Sequence, residues 1–171
     1  MRFSFLCFIL LPLWIYQESL ASAGTAILFS PYQSIQEALF NEMASTRSTI
    51  DLAIHEITSQ SLAQALLKAK ERGVKIRIIA DSKQAKLKSS KITFLINEGI
   101  SVKVLRGKDH GAMNYRFAIF DGKKVMTGSF VWSEASEKWN YENLILIGEA
   151  EVVTSYQKEF ERLWREKRVI R

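Results

Sequence analysis

The chain has 171 residues, of which 47% are hydrophobic and 25% are charged, and its formal net charge is +6. This length fits one globular domain that can bury a sizeable core, and no run of twenty apolar residues is present to form a typical transmembrane helix. The single cysteine, Cys7, excludes a disulfide framework, and the positive charge either favours anionic partners (nucleic acid, anionic phospholipid headgroups, polyanionic glycans) or serves solubility alone.

Residues 1–23 have the pattern of a secretory signal peptide. Arg2 supplies a short positive start, residues 3–16 are almost wholly apolar, and Ala21-Ser22-Ala23 is a small-residue cleavage site. The alternative is an uncleaved membrane anchor at the amino terminus. In both cases we expect the domain formed by residues 24–171 to be exported, as a secreted or periplasmic protein.

From Gly24 onward, short apolar strands alternate with amphipathic helices. Ser59 or Ser61 is expected to cap the second helix, and Arg72-Gly73 to end it. The other predicted elements are strands at 25–29, 49–54, 74–80, 101–105 and 144–147 and helices at 33–45, 92–97 and 150–167. This alternation predicts an α/β fold in which a mixed β-sheet is sandwiched between helices.

A β-hairpin is predicted between the fourth and last of these strands. Residues 115–120 are rich in aromatic and β-branched side chains, Asp121-Gly122-Lys123 is a turn signal, and residues 125–127 form a second apolar run. Gly128-Ser129 then opens a loop.

The spacing of polar residues around this hairpin resembles that of the phospholipase D superfamily, and within it the small secreted bacterial endonucleases known as Nuc. Their motif is H-x-K-x4-D-x6-G-S-x-N, and Arg116, Asp121 and Gly128-Ser129 keep its spacing here. Glu142-Asn143 matches the family's closing Glu-Asn pair. The resemblance covers nearly all of residues 24–171 and implies a phospholipase D-like single domain that acts on phosphodiesters without a cofactor.

Three polar positions depart from the family motif. Asn114 stands in place of the histidine, Arg116 in place of the lysine and Val131 in place of the asparagine. The family histidine is the nucleophile, and an amide nitrogen cannot replace it, so turnover is expected to be weak or lost. Arg116 keeps a positive charge on a planar fork that suits phosphate, so phosphate binding is expected to remain.

The resemblance also implies the residues of the site. The catalytic motif positions are Asn114, Arg116, Asp121 and Ser129, and the substrate-binding positions are Arg116, Gly128, Ser129, Glu142, Asn143 and, from the preceding loop, His110. The hydroxyl of Ser129 and the Gly128-Ser129 backbone are expected to offer donors to phosphate, and Asp121 to pair with Arg116 or cap the turn. With two distant histidines and no paired-carboxylate motif, no metal site is predicted.

The implied partner is nucleic acid or another phosphodiester polyanion, with phospholipid as the alternative, and the single motif implies a homodimer. Three functions stay open: a binding protein with a degenerate site, an active phosphodiesterase whose rearranged site recruits His110, and a dimerisation partner of an active paralogue. His110 can also be a solvated loop residue, and His55 is expected to be a packed or edge histidine.

Two further groups of residues have both a structural and a functional interpretation. The loop after Gly128-Ser129 contains Trp132, Trp139 and Tyr141 beside Lys138, and these rings can bind bases or lipid. The alternative is that Trp132 and Trp139 pack the loop onto the sheet. Lys83, Lys86, Lys88 and Lys91 form either a solvated face or a track for a phosphate backbone.

Overall fold

The computed structural model of the protein describes residues 24–166, without the side chain of His110. The predicted signal peptide, residues 1–23, lies outside the described residues, and so does Lys167, the predicted last residue of the final helix.

Within residues 24–166, seven strands form one mixed sheet, which confirms the predicted fold class. The strands are β1 Ala26–Ser30, β2 Thr49–Ile54, β3 Lys75–Asp81, β4 Ser101–Leu105, β5 Arg116–Phe120, β6 Lys124–Gly128 and β7 Glu142–Ile147. Their order in the sheet is β1-β7-β6-β5-β2-β3-β4. β2, β3 and β4 run parallel to one another, and the other neighbours are antiparallel.

In the same described part of the chain, five α-helices connect or cover these strands. They are α1 Ile35–Ser45, α2 Gln60–Glu71, α3 Ile92–Asn97, α4 Glu134–Lys138 and α5 Ala150–Arg165. Ser59, rather than Ser61, caps α2 by accepting a hydrogen bond from the amide of Leu62. None of the helices within residues 24–166 has the length and hydropathy needed to cross a membrane.

The sheet buries both of its faces, because successive side chains of each strand point to opposite sides. On one side, Leu52 of β2 and Ala118 of β5 belong to the core cluster that also contains the apolar faces of α1, α2 and α3. On the other side, Ala53 and Phe117 pack with the buried residues of α5. Full burial of each large apolar side chain contributes about 1.5–3 kcal/mol, so both layers stabilise the sheet.

The β5–β6 hairpin turns where its sequence predicts. Asp121 and Gly122 both have positive φ angles, 53° and 63°, which aspartate and glycine adopt more readily than most residues. Phe117 pairs with Thr127 across the hairpin, so the residues before Phe117 and after Thr127 meet at the end opposite the turn.

Candidate functional site

The motif residues meet at one edge of the sheet, which we call the motif edge. β1, β2, β3, β4 and β6 end there, and β5 and β7 begin there. Arg116 pairs with Ile54 of β2, Gly128 with Leu144, and Ser30 with Glu142. The structure therefore brings together six of the predicted site positions, namely Asn114, Arg116, Gly128, Ser129, Glu142 and Asn143.

Asp121 does not belong to this group, because it lies in the turn at the opposite edge. Its carboxylate accepts hydrogen bonds from the backbone amides of Arg47, Ser48 and Thr49 at 2.9, 2.7 and 2.9 Å. The expectation that Asp121 pairs with Arg116 is wrong, since the full length of β5 separates them, and these bonds favour its alternative, that Asp121 caps the turn. Asp121 instead ties the turn to the segment that enters β2.

Arg116 is half-buried at the start of β5. Strand alternation places its side chain on the same face as Ala118, toward α1 and α2. Its Nε is buried and has no hydrogen-bond partner among the described residues. Because an unpaired buried donor costs about 1–3 kcal/mol, an anion that accepts this N–H would relieve that cost.

Gly128 is required where β6 meets β7. A Cβ at this position would lie 2.2 Å from the carbonyl oxygen of Asn143, which is well inside van der Waals contact. The close approach lets the amides of Ser129 and Phe130 donate to that same carbonyl at 3.1 and 3.4 Å. The expectation that the Ser129 amide is open to phosphate therefore does not hold, because it already has a partner within the loop.

The Ser129 hydroxyl is also engaged. It donates to the carboxylate of Glu142 and accepts from the backbone amide of Asn143 at 3.0 Å. Ser136 and Asn140 donate to the other oxygen of Glu142 at 3.1 and 3.2 Å. These bonds make Glu142 the centre of a polar network that fixes the loop after β6, and Ser129 would have to rotate its hydroxyl to reach a ligand.

The loop after Gly128-Ser129 divides its aromatic residues between the two predicted roles. Trp132 is 3% exposed, and its carbonyl accepts the amides of Thr58 and Ser59. Trp139 and Tyr141 are 77% and 81% exposed. Trp132 is thus a packing residue, whereas Trp139 and Tyr141 present their rings to solvent beside the motif edge.

His55 lies closer to the site than its sequence position suggests. Its Nδ1 is 3.3 Å from the carbonyl oxygen of Met113, the residue before Asn114. The amide of Met113 donates in turn to the buried carboxylate of Asp81 at 3.0 Å. His55, directly after β2, and Asp81, the last residue of β3, therefore position the segment that carries Asn114. The one sequence signal for this role is that both residues come where a buried strand ends.

Two further sequence predictions concern the recruitment of His110 and a metal site. The side chain of His110 lies outside the described part of the chain, so its recruitment stays a prediction. Within residues 24–166, no group of three or more histidine, cysteine, aspartate or glutamate side chains is arranged to hold a metal ion.

Comparison with known proteins gives consistent matches over most of the chain. A protein-family model described as "Cardiolipin synthase, PLD-like domain" matches residues 39–164. The chain is 34% identical over 128 residues to the mitochondrial cardiolipin hydrolase of Xenopus laevis. The aligned stretch covers 75% of this chain and 60% of that protein. It spans less than two thirds of the length of the curated mitochondrial cardiolipin hydrolases that it matches, from 52% to 60%.

The solved structures that share the fold include two that match along most of their length. NucT from Helicobacter pylori gives a TM-score of 0.77 at 27% identity, over 81% of this chain and 94% of NucT. Nuc from Salmonella typhimurium, described as a phospholipase D family member, gives a TM-score of 0.77 at 24% identity, over 86% of this chain and 98% of Nuc.

Proposed function

Because this chain belongs to the phospholipase D superfamily, as its match to the PLD-like domain model establishes, we propose that it binds a phosphodiester at the motif edge and cleaves it weakly or not at all. The match to NucT and Nuc confirms the resemblance drawn from the motif. The proposed ligand is nucleic acid or another phosphodiester polyanion, and phospholipid is the alternative. We also propose that the domain is exported, on the pattern of residues 1–23.

The observation that carries this proposal is the state of Arg116. Its guanidinium has a buried Nε without a partner among the described residues, at the position where the family motif has its phosphate-binding lysine. A guanidinium offers several donors in one plane, and it binds the oxygens of a phosphate with strong, charge-assisted hydrogen bonds. Arg116 is therefore a suitable anion-binding group even though the motif is altered.

Asn114 explains why turnover should be weak or absent. It is exposed two residues before Arg116, where the family has its nucleophile. A side-chain amide can donate and accept hydrogen bonds, but it does not attack phosphorus or take up a proton near neutral pH. Binding and cleavage are therefore separable properties of this site.

Binding of a fluorescent oligonucleotide, measured by anisotropy over a range of salt concentrations, tests the proposal. Arg116→Gln should weaken binding roughly ten- to a hundredfold, since a hydrogen bond to a charged group contributes about 1.5–3 kcal/mol. Lys75→Gln is the matched control, because Lys75 is an exposed lysine at the opposite edge of the sheet. Equal affinity for the native protein and Arg116→Gln would contradict the proposal.

A second candidate function, an active phosphodiesterase with a rearranged site, is favoured by His55. The carbonyl of Met113 can only accept, so the contact at 3.3 Å requires a proton on Nδ1, and in the neutral ring Nε2 then carries the lone pair. Such a nitrogen can take a proton from water that attacks phosphorus and return it to the leaving oxygen. Hydrolysis of a chromogenic phosphodiester that is lost in His55→Gln but kept in the Lys75→Gln control would favour this candidate over the binding protein.

The homodimer implied by the single motif stays a prediction. A homodimer would place Asn114 in both halves, so neither subunit could supply the missing histidine. A heterodimer with an intact paralogue could, which is the third function left open by the sequence. Sedimentation of the purified protein alone and with such a paralogue distinguishes these assemblies from a monomer.

A further inference from the structure

A cleft of about 520 Å³ opens beside Asn114, on the face of the sheet that α5 covers. The β4–β5 loop contributes Arg106 and Lys108 to its wall, and α5 contributes Arg162. Glu166 lines it as well and is ion-paired with Arg162 at 3.4 Å. The cleft is thus open to solvent, adjoins a motif position and carries more positive than negative side chains.

Its available positive charge comes from the β4–β5 loop. Arg162 is already held by Glu159 at 2.7 Å and by Glu166, so it forms part of the wall. Arg106 donates its Nε to the hydroxyl of Ser82 at 3.2 Å, which orients the guanidinium, and its terminal nitrogens have no hydrogen-bond partner among the described residues. Lys108 is exposed and forms no ion pair within residues 24–166.

The cleft and Arg116 lie on either side of the start of β5. Arg116 points toward α1 and α2, whereas the cleft lies toward α5, and Asn114 is between them. Two residues of backbone place the Cα atoms of Asn114 and Arg116 within about 7 Å of each other. A ligand that crosses the motif edge can therefore reach both groups of cations at once.

Further positive charge continues along the same edge. The segment that follows β3 carries Lys83, Lys86 and Lys88, all exposed, whereas Lys91 is half-buried. A single headgroup bound at Arg116 would not extend to this segment, but a chain of phosphates would. The distribution of charge therefore favours a strand of nucleic acid over a lipid headgroup.

We propose that the cleft formed by Arg106, Lys108 and Asn114 is a second phosphate subsite, which holds a neighbouring phosphate of a nucleic-acid strand whose first phosphate lies at Arg116. This inference rests on the proposed function, because it assumes that Arg116 binds a phosphodiester. In addition, affinity should rise with the number of linked phosphates, and this rise should depend on Arg106 and Lys108, which lie outside the family motif.

The test is a series of oligothymidylates with one, two, four and nine internal phosphates, bound to the full chain and to its variants. The native protein should bind the longer members at least tenfold more tightly than the dinucleotide. Arg106→Gln combined with Lys108→Gln should remove most of this gain and leave dinucleotide binding unchanged. The salt dependence for the longest member should fall in slope by about 0.7, because the one phosphate held in the subsite is no longer neutralised and each phosphate of a single strand contributes roughly 0.7.

Controls separate the subsite from general charge and from folding. Arg106→Lys combined with Lys108→Arg keeps the charge and should keep the length dependence, and Lys75→Gln should behave like the native protein. The variants at Lys75, Arg106 and Lys108 should melt at the native temperature, because these three side chains are exposed.

The outcomes for this subsite and for the proposed function can be told apart. If Arg106→Gln with Lys108→Gln keeps the full length dependence, the subsite is refuted while Arg116 can still bind phosphate. If Arg116→Gln binds every member as tightly as the native protein, the proposed function fails. Binding to cardiolipin vesicles that depends on Arg106 and Lys108, without any binding of oligothymidylate, would overturn the assignment to nucleic acid.

Discussion

Replacement of Asp121 by alanine should destabilise the protein without weakening phosphodiester binding. The Asp121 carboxylate accepts three backbone hydrogen bonds, from Arg47, Ser48 and Thr49, at 2.7–2.9 Å. Each hydrogen bond to a charged group contributes about 1.5–3 kcal/mol, but Arg47 and Ser48 are exposed and water can replace part of the loss. We therefore expect the free energy of unfolding to fall by about 3 kcal/mol, which lowers the melting temperature by roughly 6–12 °C.

Circular dichroism melting, combined with oligonucleotide binding below the transition, measures both quantities on the same preparation. Asp121→Asn is the matched control, because asparagine tolerates the positive φ of 53° and keeps one acceptor oxygen. It should lose less stability than Asp121→Ala. An Asp121→Ala protein that melts like the native one but no longer binds would refute the structural role and return Asp121 to the site.

The same carboxylate predicts a pH dependence. Burial acts to raise the pKa of Asp121, but the backbone hydrogen bonds from Arg47, Thr49 and Ser48 outweigh it, so the pKa lies below its ordinary value of 3.8. Since the folded pKa is lower than the unfolded one, the stabilisation is present above the ordinary value and is lost as pH falls through the folded pKa. Between about pH 5 and pH 3, the free energy of unfolding should fall more steeply in the native protein than in Asp121→Asn.

Two further substitutions test the packing that positions the site. Arg77→Met should lower the free energy of unfolding by about 3 kcal/mol, since Arg77 binds the buried Asp51 carboxylate through two hydrogen bonds of 2.8 and 2.7 Å. Urea unfolding should show that part of this stability returns when Asp51→Leu is added. A stability of Arg77→Met equal to native would show that solvent already screens the pair. Gly128→Ala should lower the melting temperature by at least about 5 °C, because its Cβ would lie 2.2 Å from the Asn143 carbonyl oxygen and the loop after β6 would have to move. A native melting temperature together with native chemical shifts for Ser129 would contradict this role of Gly128.

Most of the fold is predictable from periodicity and turn chemistry. Strand and helix patterns place all seven strands within about two residues of their observed bounds, and Asp121-Gly122 fixes the hairpin. The short helix α4 is not predicted, because five residues are too few to establish a helical period. Only its cap, Ser133, gives a local signal, by accepting the amide of Ser136.

Arg77 shows a different limit of sequence patterns. Its alternation with Val74 and Ile76 assigns it to a polar face, yet the structure places it over the rings of Phe160 and Trp164 at 4.9 and 5.3 Å. Both faces of the sheet are covered, so a charged residue on either face must find partners within the protein. Which residues those are depends on how α5 packs, which strand periodicity does not encode.

Motif spacing selects residues that the structure brings to one edge of the sheet, but it does not give their arrangement. Arg116, Gly128, Ser129 and Glu142 meet because β5, β6 and β7 share that edge. Spacing along the chain does not show that Asp121 lies at the other end of β5. Nor does it show that the Ser129 amide is bonded within its own loop, because both facts depend on tertiary contacts.

The most direct test of a phosphate site without a nucleophile restores the family residues in one variant, Asn114→His with Arg116→Lys and Val131→Asn. Hydrolysis of a chromogenic phosphodiester should be weak or undetectable for the native protein and clearly faster for the variant, with a covalent phosphohistidine at position 114 visible by mass spectrometry. Lys75→Gln in the native background is the control and should hydrolyse no faster than the native protein. Native turnover that equals or exceeds that of the restored variant would contradict the central claim and show that another group, such as His55, carries the reaction.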